Sequence, residues 1–234
     1  MARSRDQGVG QWLVPAITAA TFDKTALMQH NYGAWIALGL HPIYEADHRD
    51  EHLRLLRERL EHGAALAVGE IGLDFYLPEL DTERQIHFFE SQLKIARDYD
   101  LPVIVHIRRS QDQVLKYLRK WKVKGGIAHA FNGSEQQAAE FIKLGFCLGF
   151  GGAMTYDGSQ RIRRLAQSLP LESIVLETDA PDIAPSWLAG SPPKRNEPAQ
   201  LPQIAAVLAQ LRQTPISEIA SQTSINTRRI LGLL

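Results

Sequence analysis

Short apolar runs rich in Val, Ile and Leu recur along the chain as "QWLVPAI", "WIALGL", "AALAVGEIG", "LPVIVHI", "GGIAHAF", "GFCLGFGG" and "ESIVLETD". They are apolar at consecutive positions, the pattern of strands buried on both faces of a parallel sheet. Segments with helical spacing of apolar residues lie between them: "DEHLRLLRERLEHG", "ERQIHFFESQLKIARDYD", "DQVLKYLRKW", "SEQQAAEFIKLG" and "QRIRRLAQSL". Strand-then-helix repetition restricts the chain to an open doubly wound sheet or a closed (β/α) barrel. No Gly-rich phosphate fingerprint follows the first run, which favours the barrel. The expected fold class is therefore α/β, a TIM-type (β/α) barrel. A Pro-rich loop, "APSWLAGSPPKRNEPAQ", follows the last strand, and two final helices, "QLPQIAAVLAQLR" and "ISEIASQTSINTRRILGL", complete the wall. No linker divides residues 1–234, so a single domain is expected. A complete barrel has eight strands and seven runs are visible. The opening "ARSRDQG" reads as the tail of a helix, so the first strand is expected to be missing.

Charge narrows the function classes. Lys plus Arg and Asp plus Glu number 26 each, so no global field drives binding to nucleic acid or to an anionic membrane, and any anion site must be local. The single cysteine, Cys147, excludes an intrachain disulfide and reads as a small buried side chain. The N-terminal segment lacks a cleavage-site pattern, and no 18-residue apolar run occurs. A soluble cytoplasmic protein is expected, with no membrane association and no feature that calls for an obligate protein partner.

The polar residues that interrupt the apolar runs carry the functional signal. Glu70 follows "ALAVG", His106 follows "LPVIV", His129 follows "GGIA", Asp179 follows "IVLET", and His41 follows "WIALGL", so each is expected to end a different strand. Asp74 lies four residues beyond Glu70 in "AVGEIGLDF". The carboxyl ends of all strands in a parallel barrel converge on one face, which brings such residues together. Taken singly they have plainer readings: a carboxylate paired with an arginine, a hydrogen-bonded core histidine, a turn cap before Pro181. Taken together, the imidazoles of His106 and His129 and the carboxylates of Glu70 and Asp179 suit Zn²⁺ or Mn²⁺ better than an all-oxygen Mg²⁺ or Ca²⁺ shell. A divalent cation is then what compensates Glu70 at the edge of an apolar interior.

The blocks "GLHP", "VGEIGLDFY", "PVIVHIRR", "HAFNGS", "GFGGAMTY", "LETDAPD" and "KRNEPAQLPQIAAVLAQLR" resemble the signature blocks of the TatD family of metal-dependent hydrolases, from about residue 8 to the C-terminus. The resemblance implies a barrel of the amidohydrolase type, divalent metals (Zn, Mg or Mn, two in the family), and deoxyribonuclease activity of the 3'-5' exonuclease kind with a metal-activated water. DNA or a nucleotide-like phosphodiester is then the substrate. By correspondence Glu70 resembles the family's metal-bridging glutamate, His106 and His129 its later histidine ligands, and Asp179 the aspartate that binds metal and handles the nucleophilic water. His41 resembles a histidine placed beside the substrate phosphate. The family's opening His-x-His has no counterpart here, since no histidine precedes His30, which lies in a helical segment. Glu70, His106 and His129 still make a three-ligand set, so one metal is feasible where the family holds two.

Arg108, two residues past His106, is the candidate for the substrate phosphate, because its planar fork holds two oxygens at once. Bridging to a carboxylate of the site is its other reading. The run Lys116, Arg119, Lys120, Lys122 and Lys124 is expected to be a solvated helix face. Trp187, with Lys194 and Arg195, is either a stacking platform for a single strand or packed against the barrel. Two other function classes stay open: an amidohydrolase acting on small molecules, and a catalytically impaired metal-binding relative.

Overall fold

The computed structural model describes residues 1–63, 65–190 and 195–234. The chain divides into two compact units. One comprises Gln11–His129 and Lys143–Phe146; the other comprises Met1–Gly10, Ala130–Ile142 and Cys147–Leu234.

The first unit is built on five strands: β1 (Leu13–Pro15), β2 (Trp35–Leu38), β3 (Ala67–Asp74), β4 (Val103–Arg108) and β5 (Gly126–Ala128). They run parallel and pair in chain order. Helices Phe22–Tyr32, Asp50–Glu61, Thr82–Asp98 and Gln111–Trp121 connect them. Every residue of β3 is buried, as a strand covered on both faces requires. The Thr82–Asp98 helix starts where the Asp81 carboxylate accepts the Arg84 N–H at 3.0 Å. It buries Phe88, Phe89, Leu93, Ile95 and Ala96. Gln85 and Gln92 share that buried face, two amides among apolar side chains.

The second unit holds the parallel pair β6 (Phe146–Phe150, its first residue counted with the other unit) and β7 (Ile174–Leu176). Its main helices are Gln160–Ser168, Leu201–Arg212 and Ile216–Ile230. Cys147 is buried, as expected. The segment Ala2–Asp6 forms a short N-terminal helix, so the helical character expected of "ARSRDQG" is present.

All seven runs are strands, and His129 directly follows β5 as expected, but other strand ends lie elsewhere than the sequence suggested. β3 continues past Glu70 to Asp74, and β4 past His106 to Arg108, so both residues are internal to strands. β7 stops at Leu176, which leaves Asp179 in the following loop. A charged residue looks like a strand end when only hydrophobicity is read, whereas strand extent is set by backbone pairing with the neighbours. Among the described residues no helix is long and apolar enough to cross a membrane.

Candidate metal centre

Glu70 owes its direction to an irregularity in β3. Val68 pairs with Val103 and Ile71 with Val105, so β3 carries an extra residue between the two pairs. Such a bulge breaks the alternation of side chains and re-aims one of them. Gly72 permits the close approach of β4: its φ is +150°, and a Cβ there would stand 2.0 Å from the His106 carbonyl oxygen.

The two buried glutamines of the Thr82–Asp98 helix fasten the neighbouring strand ends. Gln92 accepts the Leu40 N–H at 2.7 Å and donates to the Leu40 carbonyl at 3.1 Å, fixing the backbone just before His41. Gln85 does the same at Asp74, accepting its N–H at 2.7 Å and donating to its carbonyl at 2.9 Å. Backbone beyond a strand's last ladder bond needs partners when buried, and these amides supply them.

At the centre, Glu70 Oε1 is buried and has no aligned hydrogen bond. Facing it are His41 Nε2 at 3.2 Å, His106 Nδ1 at 3.3 Å and His129 Nε2 at 4.0 Å. His41, Glu70 and His106 each present a ligand-capable atom within 4.8 Å of the others. His129 falls outside that tighter group. β3 lies between β2 and β4, so the residues after β2 and in β4 flank Glu70, while β5 is one strand further away. An orphaned carboxylate oxygen ringed by imidazole nitrogens is a donor set of the kind Zn²⁺ or Mn²⁺ takes, and the residues present fit such an ion.

Burial pushes the Glu70 carboxyl up, but the charge on His129 and the close rings of His106 and His41 outweigh it and hold the group well below the usual carboxylate range. His106 is raised: burial lowers it, and the carboxylates of Asp74 and Glu70 more than reverse that. Asp74 is buried too, which raises its pKa, yet His106, the Tyr76 N–H and Arg108 leave it lowered.

The two rings nearest Glu70 are held differently. His106 Nε2 lies 2.9 Å from Asp74 Oδ2, whereas His41 Nδ1 accepts the Ile43 N–H at 3.3 Å and the His41 carbonyl lies 2.9 Å from His48 Nε2. Arg108 is half-exposed; its guanidinium lies 3.7 Å from the Tyr76 ring centroid and its Nη1 3.9 Å from Asp74 Oδ2, the carboxylate approach that was one of its two sequence readings. Arg109 also approaches Tyr76, at 4.6 Å.

Asp179 belongs to the second unit, where it lines a small pocket with Glu177, Phe131 and Gly149. Asn196, nearly fully buried, staples the loop that carries it, donating to the carbonyls of Thr178 at 2.7 Å and Asp182 at 2.6 Å. Glu177 accepts the Ala130 N–H at 2.8 Å, and a Cβ on Gly149 would overlap its carboxylate. Trp187 is half-buried with its N–H committed to Gln200 at 2.7 Å. Arg195 is exposed, and Lys194 lies outside the described residues. The basic run is exposed throughout; Lys120 pairs with Glu90 and Lys124 with Asp100. Sequence reading missed Gln85, Gln92, Glu177 and Asn196. Only the glutamines left a trace, as two amides seven residues apart on an otherwise apolar helix face.

The profile described as TatD related DNase matches residues 1–232. The chain is 41% identical to the uncharacterized metal-dependent hydrolase YjjV of Escherichia coli K12, over 100% of this chain and 90% of that protein. It is 32% identical to the 3'-5' ssDNA/RNA exonuclease TatD of Erwinia tasmaniensis, over 99% and 92% of the two lengths. The crystal structure of E. coli YjjV matches 100% of this chain and 90% of its own with a TM-score of 0.94 at 38% identity. The fold class is the TIM-type (β/α) barrel class expected from the strand-helix repetition. Profile, relatives and fold agree that the chain belongs to the TatD related DNase family of metal-dependent hydrolases.

Proposed function

We propose that this protein hydrolyses phosphodiester bonds in single-stranded nucleic acid, removing nucleotides from the 3' end, with a divalent cation held by Glu70, His106 and His129. The observation that carries this reading is the buried Glu70 Oε1, without an aligned hydrogen bond and faced by three histidine nitrogens. The name of the Erwinia tasmaniensis relative supports the choice of nucleic acid. A divalent cation bound there supplies a water acidified toward neutral pH and a positive charge for the phosphate oxygens.

The protein's own groups do the rest. Because His41 Nδ1 accepts a backbone N–H, its neutral ring carries the proton on Nε2, and it donates that hydrogen to a phosphate oxygen next to Glu70. Arg108, half-exposed and laid on Tyr76, pairs with a second phosphate oxygen. Asp179 takes the role its motif suggests, accepting the proton of the attacking water. Metal-loaded protein should shorten 5'-labelled single-stranded DNA stepwise, and Glu70→Gln should abolish this. If loaded protein leaves DNA and RNA intact but opens an amide or lactone, the nuclease reading is wrong and an amidohydrolase replaces it.

A further inference from the structure

Asp74 is 1% exposed and stands at the end of β3, where both of its oxygens are engaged. Oδ1 accepts the Tyr76 N–H at 2.9 Å, which fixes the carboxylate plane, and Oδ2 lies 2.9 Å from His106 Nε2. Its backbone is clamped by Gln85 on both the N–H and the carbonyl. A group held at so many points has little freedom to follow its partner, so it is His106 that is oriented.

A neutral imidazole has one N–H and one lone pair, and the partner of one nitrogen decides the character of the other. An ionised carboxylate only accepts, so the His106 proton sits on Nε2 and the lone pair on Nδ1, which faces Glu70 Oε1 at 3.3 Å. His41 is the internal contrast, since its Nδ1 is the acceptor and it turns an N–H toward the same oxygen at 3.2 Å.

Resting on the metal-centre reading above, we propose that Asp74 is a positioning residue: it locks His106 in the tautomer and ring orientation that present the Nδ1 lone pair to a divalent cation beside Glu70. It touches neither substrate nor ion. A carboxylate behind a ligating histidine also raises the basicity of the ring, and loss of such a partner typically weakens metal binding about 10- to 100-fold.

The test is calorimetric titration of the metal-stripped full-length protein with Zn²⁺ and with Mn²⁺, for wild type, Asp74→Asn and Asp74→Glu, together with ring-nitrogen NMR of metal-free wild type at alkaline pH. Asp74→Asn keeps the shape but removes the charge and the fixed proton preference, and about 10- to 100-fold weaker binding is expected. Asp74→Glu should recover part of the loss, which a merely structural role would not predict. The NMR should place the His106 proton on Nε2; this measurement needs no variant and decides the question if Asp74→Asn fails to fold. Binding by Asp74→Asn within twofold of wild type, or an Nδ1-protonated His106, overturns the proposal. If wild type binds neither ion, the metal-centre reading falls and this inference with it, an outcome distinct from equal binding by wild type and variant.

Discussion

The rings of His41 and His106 meet edge to face with centroids 4.5 Å apart, and both address the same oxygen of Glu70. Their hydrogen-bond partners separate them chemically, Ile43 N–H for one and the Asp74 carboxylate for the other. A residue that donates a hydrogen and a residue that offers a lone pair then act side by side, and the pair can be told apart by substitution.

His106→Ala should abolish tight binding of Zn²⁺. His41→Ala should leave the dissociation constant within about threefold and lower kcat on single-stranded DNA by about 100-fold, the scale of a lost proton donor. Calorimetry and single-turnover kinetics on the two variants check this; equal loss of metal by both would mean that His41 is itself a ligand.

The stability of the metal-free protein should pass through a maximum in pH. Glu70 and Asp74 are lowered from ordinary values of 4.5 and 3.8. Their contribution is fully present above those values and is lost as pH falls through the depressed ones. His106 is raised from 6.5, so its contribution is fully present below 6.5 and is lost as pH rises through the raised value. The site therefore favours the fold most between about pH 4.5 and 6.5. Melting temperatures measured across pH 3 to 9, with and without Zn²⁺, should show the alkaline decline only in the stripped protein, since the ion takes the place of the proton on His106.

Gln92→Leu keeps the volume and strands the Leu40 N–H and carbonyl without partners. Two buried unsatisfied groups cost on the order of 3 kcal/mol, which for a chain of this size lowers the melting temperature by roughly 6–12 °C. Thermal denaturation measures it, and a shift below about 2 °C would show that water replaces the amide.

Arg108→Ala should raise KM for single-stranded DNA about 10-fold or more, the value of a charge-assisted contact, and Arg108→Lys should not restore it because the fork geometry is lost. Neutralising Lys116, Lys122 and Lys124 together should leave KM unchanged at physiological salt, given their exposed positions on and beyond the Gln111–Trp121 helix. Steady-state kinetics of the two sets of variants decide between these surfaces.

Gly72→Ala should be severe, because a methyl would meet the His106 carbonyl oxygen at 2.0 Å in a backbone conformation that L residues avoid. Loss of Zn²⁺ binding together with a lowered melting temperature is the expected result, measured on the same preparation.

The family, the parallel α/β class and the residues of the centre were all legible in the chain. Hydrophobic runs report burial directly, and strand-helix alternation leaves few topologies. His41, Glu70, His106 and His129 were singled out because each interrupts an apolar run, and the first three do gather within 4.8 Å. The grouping differs from the expected ligand set of Glu70, His106, His129 and Asp179, because closeness to Glu70 follows strand adjacency, which apolar spacing does not encode. Nor did the sequence indicate that Glu70 and His106 lie inside strands, since the bulge between Val68 and Ile71 depends on how β3 pairs with β4.

What the sequence determined by itself was the inventory: which strands and helices form, which charged groups must be buried, and that a cation suits them. These follow from local periodicity and from the cost of burying charge, which are properties of short stretches. Only the tertiary structure decided the chemistry of each group. The tautomer of His106 depends on Asp74, 32 residues away, and the seat of His41 on Gln92, whose amide holds Leu40 from 52 residues away. A hydrogen bond between distant residues leaves no periodic mark in either segment, so the roles of the histidines come into view only when the strands are laid side by side.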